Sequence, residues 1–190
     1  VSTLPELLFY RSDLVGKPCR RIVKPVSSEI TELLSIMTRY CQRHDGLGLA
    51  APQLGIFVQL AIAATVPGHF EVLVNPKIMN LGGRDLLSAE GCFSLPPVGK
   101  NNARVWRSEI VQIRFGTLED PDAGIERIYK GAIARIVQHE IDHLNGIFFI
   151  DRCGPVGRQL VLRNLGKYLR QKDLNKRLSA LAMSLGVARG

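Results

Sequence analysis

No run of apolar residues in this chain approaches the roughly 20 that a bilayer span needs. The longest, IFVQLAIAATV (56–66), is strand-sized and contains Gln59, so the chain reads as soluble and no membrane partner is expected. Its first residues, VSTLPELLFY, offer neither an initiator Met nor a cationic stretch leading into an apolar one. No secretory signal is visible, which leaves room for a leader removed beforehand. Cysteine is sparse: Cys19, Cys41, Cys92 and Cys153 lie far apart, without the close spacing of a small disulfide framework. Reduced thiols in a reducing compartment follow, the cytoplasm or an organelle matrix. Acids are outnumbered by bases, 17 to 25, and the deficit is local. Residues 152–190 carry nine Lys or Arg against the single acid Asp173, so this tail accounts for the whole net charge of +8. Repeats, low-complexity segments and linkers are also missing, and 190 residues suit one core, so a single domain over 1–190 is the default.

What is present has clear periodicity. In EITELLSIMTRYCQRH (29–44), Ile30, Leu33, Leu34, Met37, Tyr40 and Cys41 recur at offsets of three and four, the stripe of an amphipathic helix that Ser27 or Ser28 would cap. DGLGLAAPQLG (45–55) has the glycines and proline of a loop. Strand-like runs follow at 57–64, 71–76, 108–119 and 125–131, the last two joined by the hairpin connection DPDAG. From Ala132 to Asn145 the period turns helical and stops at Gly146. A last, basic helix is expected over roughly 158–185, with Leu160, Leu165, Leu169, Leu174, Leu178 and Leu181 as its buried positions. The expected class is α+β: antiparallel β-sheets packed around a central helix, with N-terminal and C-terminal helices.

That central helix contains QHEIDHLNG (138–146). Positions i and i+4 share a helix face, so His139 and His143 can reach one ion, and Glu140, about 100° round, can address a ligand on it. A metal needs a third protein ligand. Metzincin proteases continue HExxHxxGxxH, but here the last position is Phe149. Thermolysin-like sites take a downstream glutamate, and no glutamate follows Glu140. Asp151, Asp173 and Cys153 remain downstream, and His44, His69, Cys41 and Cys92 upstream. Of these, Cys92 lies in EGCFSLPP (90–97), where Gly91 frees the backbone and the prolines stiffen the exit.

Three separated stretches, GLGLAAPQ (46–53), EGCFS (90–94) and QHEIDHLNG (138–146), together resemble the motifs GxGLAAxQ, EGCxS and QHExDHLxG of the peptide deformylases. The likeness extends from about Pro18 to Arg152. The resemblance implies removal of the formyl group from the initiating methionine of nascent chains. It implies Cys92, His139 and His143 as metal ligands, Fe²⁺ as the usual ion with Zn²⁺ a common substitute, and a water completing the site. Glu140 is then general base and later general acid, and the Gln53 side-chain amide and Phe93 main-chain N–H are donors to the oxyanion. It also implies that Glu90 pairs with Arg107 to brace the cysteine loop. Gly46 and Gly48 let the loop run close to an extended peptide, with Gly48 and Leu49 offering it strand-like hydrogen bonds. Leu47, Ile136 and Val137 are read as lining for the methionine side chain, and Gln138 and Asp142 as either orienting or helix-surface residues. Without the family, GLGLAA could pass for a dinucleotide fingerprint, but it follows a helix and precedes a strand, the reverse of what that motif requires.

The likeness has gaps. Phe93 stands where leucine is usual, Trp106 where proline is common, the loop 97–106 is longer than in many bacterial members, and residues 1–17 match poorly and read as an extension. The basic tail suits either ribosomal RNA or a solvated helix face. Two other functions compete: an HExxH endopeptidase, against which the missing third ligands argue, and a silent ribosome-binding relative.

Overall fold

A computed structural model describes residues 7–8, 17–66, 68–95 and 104–184, with the side chains of 178–184 outside that description. The stripe near the N-terminus folds as helix α1 (Ser28–Arg43), whose Leu33, Met37 and Cys41 are buried. Ser27 takes the N-cap position, although its side chain makes no capping hydrogen bond. The stretch expected to be a loop is more regular than its glycines suggest. It holds strand β1 (Gly48–Ala50) and a 3₁₀ turn over Ala51–Leu54, because the Gln53 side chain folds back to accept the Ala50 N–H at 2.9 Å.

Four further strands follow: β2 (Leu60–Val66), β3 (His69–Ala89), β4 (Arg104–Gly116) and β5 (Ile125–Lys130). They form with β1 a single antiparallel sheet in chain order. The sequence reading ends its second strand-like run at Pro76, but the strand there, β3, continues to Ala89 and is 21 residues long. It survives its proline and glycines by bending. Register shifts fall between Val74 and Lys77 and between Gly82 and Asp85, where Asn75 and Gly83 take positive φ, 50° and 70°. Bulges of this kind let one strand pair first with β2 and then with β4.

Helix α2 (Gly131–Leu144) contacts all five strands. Alternation along the strands divides the core into two layers. Ala50, Ala61 and Ala63 face α2 with Val137 and Ile141, and their small side chains let the helix lie close to the sheet. Leu49, Leu60 and Ile62 face α1 with Leu33 and Met37 on the other side. Each large side chain so buried contributes roughly 1.5–3 kcal/mol. A third cluster gathers Leu95 and Val105 with Phe148, Phe149 and Ile150, a 3₁₀ turn (Phe149–Arg152), and Val161 and Leu165 of helix α3 (Pro155–Ser184). Here the expected burial is corrected: Leu169 and Leu174 are exposed, Leu160 is half-buried, and Leu178 and Leu181 lie outside the described side chains. Among the described residues no helix is long and apolar enough to cross a membrane.

Candidate active site

Helix α2 ends with His139, Glu140 and His143 all buried. Its own periodicity brings the two imidazoles together, Nε2 to Nε2, at 3.2 Å. The third group arrives from beyond the end of β3, where Cys92 opens a turn closed by the Leu95 N–H on the Cys92 carbonyl at 3.0 Å. Leu95 is sunk in the third cluster, and the Cys92 Sγ lies 3.3 Å from His143 Nε2. Ligand atoms of Cys92, His139 and His143 all fall within 4.8 Å of one another, the one such group of three among the described residues. Four of the other sequence candidates are committed elsewhere. Cys41 is buried on the inner face of α1, His44 packs on Tyr40, Asp151 accepts the Phe148 N–H and Cys153 donates to the Phe149 carbonyl.

One sulfur and two imidazole nitrogens at this separation form a suitable donor set for a divalent transition metal. A metal-binding histidine usually gives its second ring nitrogen to an acceptor that fixes its orientation. His139 Nδ1 meets Glu90 Oε2 at 2.9 Å, which turns Nε2 towards the other two donors. Glu90 is itself held by Arg107 through two bonds of 2.9 and 3.0 Å and by Arg135 at 2.7 Å. Arg107 also reaches Asp142, whose carboxylate is closed on the other side by Arg152 at 2.5 Å. The Glu90–Arg107 pair matches the sequence expectation. Arg135, Arg152 and the bridging position of Asp142 were not anticipated. A faint signal existed, since Arg135, His139 and Asp142 recur at offsets of four and three on one helix. Gln138 instead ties α2 to β4 by donating to the Ser108 carbonyl at 2.9 Å.

Glu140 has no such partners. Its carboxylate is buried and Oε2 makes no hydrogen bond; burial, against the pull of His139, raises its pKa to about 7. Burial opposes charge on His139, but Cys92 and Glu90 outweigh it and raise that imidazole well above its ordinary value. His143, penalised by burial and by its charged neighbour, is held well below. For Glu90 the burial penalty is overcome by His139 and Arg107, which hold the carboxyl far below the usual range.

Gln53 is buried beside this centre, its Nε2 3.5 Å from Cys92 Sγ and 3.3 Å from Ser94 Oγ. The room left by the loop glycines is taken by the chain's own side chains. A Cβ on Gly48 would lie 2.5 Å from Glu140 Oε1, and one on Gly46 would lie 2.6 Å from the Phe93 ring. Strand β1 is an edge of the sheet. Because Ala64 N–H donates to the Leu47 carbonyl at 2.8 Å, alternation turns the polar main-chain groups of Gly48 and Ala50 away from β2 and those of Leu49 towards it. Of Gly48 and Leu49, both expected to pair with a peptide, only Gly48 has its polar main-chain groups on the free edge, and the Leu49 side chain is fully buried under α1. Leu47 is exposed and Ile136 half-buried, whereas Val137 is fully buried in the sheet–helix core and is corrected to a packing residue. Trp106, on β4 opposite Leu87, is exposed. Of the loop expected over 97–106, residues 104–106 instead begin β4, while its remainder and most of the stretch 1–17 lie outside the described residues, although Leu8 N–H donates to the Gln53 carbonyl at 2.8 Å.

The family model described as Polypeptide deformylase matches residues 5–159, which takes in part of the stretch read as an extension. A peptide deformylase of Microchaete diplosiphon is 37% identical over 155 residues, covering 78% of this chain and 79% of its own. The crystal structure of a peptide deformylase from Legionella pneumophila matches with a TM-score of 0.79 at 28% identity, over 90% of this chain and 98% of that one. The Met-Ala-Ser-bound class I type b peptide deformylase from Acinetobacter baumannii matches with a TM-score of 0.71 at 30% identity, over 80% and 99%.

Proposed function

The chain belongs to the polypeptide deformylase family and is a peptide deformylase, and from that premise we propose that it removes the formyl group from N-formylmethionyl nascent peptides. The reaction breaks the formyl C–N bond, joins the formyl carbon to a water oxygen as formate, and returns the amine with a proton. Cys92, His139 and His143 would hold a divalent cation, Fe²⁺ in our reading with Zn²⁺ as substitute, and that ion supplies Lewis-acid and water-activating chemistry.

The chain's own groups do the rest. Glu140 takes the proton from the attacking water and delivers it to the departing amine; its burial opposes charge on the carboxyl and so favours its holding that proton in between. Gln53 Nε2 and the Phe93 N–H donate to the oxygen as it gains charge. Glu90, braced by Arg107, Arg135 and indirectly Asp142, keeps His139 oriented. Gly48 pairs with the extended peptide along the free edge of β1, and Leu47 and Ile136 border the methionine side chain. The Acinetobacter relative is solved with Met-Ala-Ser, the peptide that deformylation of formyl-Met-Ala-Ser leaves behind.

One observation carries the reading: a buried carboxylate with an unpartnered oxygen stands beside three converging metal-type donors. The test is formate release from formyl-Met-Ala-Ser by protein prepared anaerobically with Fe²⁺, compared with Glu140→Gln. The variant should lose on the order of 10²-fold or more, and neither should cleave unformylated peptides. Equal rates in both would end this mechanism. We further propose that α3, which from Leu169 to Arg177 is exposed and mostly basic or polar, contacts the ribosome where formylated chains emerge, in the cytoplasm or an organelle matrix. Co-sedimentation with ribosomes should then weaken steeply with salt; binding indifferent to salt would contradict it.

A further inference from the structure

The turn from Cys92 to Leu95 carries both a metal-type donor and, at Phe93, a main-chain N–H assigned to the oxyanion, so whatever fixes this turn sets the geometry of the reaction. Three side chains pin it. Leu95 is buried in the third cluster, and Ser94 Oγ receives the Gln53 amide at 3.3 Å. The Phe93 ring makes the third attachment. It packs edge-on to Tyr40 with 5.4 Å between centroids and lies 6.3 Å from His44. Its far edge fills the hollow at Gly46, where an added Cβ would meet Cε2 and Cζ of the ring at 2.6 Å and the Cys41 Cα at 3.3 Å. Gly46 does not have positive φ, so its backbone admits an alanine. The ring is the main obstacle, and the Cys41 Cα need give only a few tenths of an ångström.

We propose that Phe93 and Gly46 form a lock between the cysteine turn and the C-terminal end of α1. The ring is a positioning group: seated against Gly46, it holds its own N–H and the neighbouring Cys92 thiol in register with Gln53, His139 and His143. The donor role of the N–H rests on the deformylase reading above, whereas the lock rests on packing alone. Leucine at position 93 lacks the two ring atoms that meet Gly46, so the positions must be coupled in a way that ordinary gap-filling would not produce.

The experiment is a double-mutant cycle on the full chain, reading Co²⁺ affinity, the sulfur-to-cobalt absorption band, kcat and KM. Gly46→Ala should weaken Co²⁺ binding about tenfold, as displaced supporting groups do at metal sites. It should lower kcat about 10- to 100-fold, short of losing an oxyanion donor outright, with KM changed by less than about twofold. Phe93→Leu should cost a few-fold in kcat, and Gly46→Ala with Phe93→Leu should be no worse than Phe93→Leu alone, a strong departure from additivity. Phe93→Ala empties the hollow without adding an atom, and must show the same loss of Co²⁺ affinity if Gly46→Ala does not fold. The lock is overturned if Gly46→Ala matches wild type, if its penalty is equal in both backgrounds, or if it acts on KM alone, which would make Gly46 a peptide contact. Should wild type release no formate, the deformylase reading falls while the Co²⁺ affinities of the same proteins still decide the lock.

Discussion

Glu90 gathers more of the site than any other residue. Two bonds from Arg107, one from Arg135 and the contact with His139 Nδ1 converge on a carboxylate that is almost fully buried. A buried carboxylate is tolerable only when paired and fully hydrogen-bonded, and here the pairing also fixes which imidazole nitrogen faces Cys92. Glu90→Gln keeps the volume but replaces an acceptor oxygen by a donor aimed at guanidinium groups. The variant should therefore bind Zn²⁺ or Co²⁺ about 10- to 100-fold more weakly in competition with a chromophoric chelator; undiminished affinity would remove Glu90 from this role. The pairing of His139 with His143 was legible because i, i+4 spacing is itself geometric, whereas Cys92 joined them through the likeness of EGCFS to the deformylase motif. Arg135 and Arg152 were not legible, since a guanidinium's partner is set by tertiary approach: Arg135 finds Glu90 across 45 residues of chain. The apolar lining was hardest to read, because Val137 has the same composition signal whether it faces a pocket or, as here, a core.

Among the elements, the amphipathic helices α1 and α2 were recovered nearly to the residue, since a 3.6-residue period survives in one dimension. Strand β3 was underestimated because its run was ended at Pro76, whereas register shifts carry the strand past that proline and the glycines beyond it. Helix α3 shows the opposite error. Its leucines recur at helical spacing, but periodicity reports only a face and not whether anything covers it. The helix is held to the body at its start, by Val161 and Leu165, and Leu169 and Leu174 meet solvent. Leu165→Ala should cost roughly 2–5 kcal/mol in urea unfolding, the usual range for emptying a core leucine site. Leu174→Ala should stay within about 0.5 kcal/mol. Comparable losses at both would mean that the distal helix is packed after all.

Taken as one molecule, the chain keeps two thiols in its two main cores, Cys19 on the α2 side of the sheet and Cys41 on the α1 side. Burial pushes Cys19 up to about 11, and burial with the nearby Glu140 charge pushes Cys41 up to about 12. Unfolded thiols titrate near about 8.5, so above that pH the unfolded chain has released protons that the native state still binds. Stability must then fall as pH rises. The contribution of these thiols is intact below about pH 8.5 and is lost progressively up to the folded values near 11 and 12. Tyr129, raised by burial and by Glu71, acts in the same direction at higher pH. Between about pH 8 and pH 10 the two thiols together should remove on the order of 3–4 kcal/mol. Replacing both, Cys19→Ala with Cys41→Ala, lowers stability at every pH but takes away this slope. The urea midpoint of the double variant should therefore decline less between those pH values than that of the wild type. If the two decline in parallel, the alkaline loss belongs to other groups, such as Tyr129, and the buried thiols contribute nothing to it.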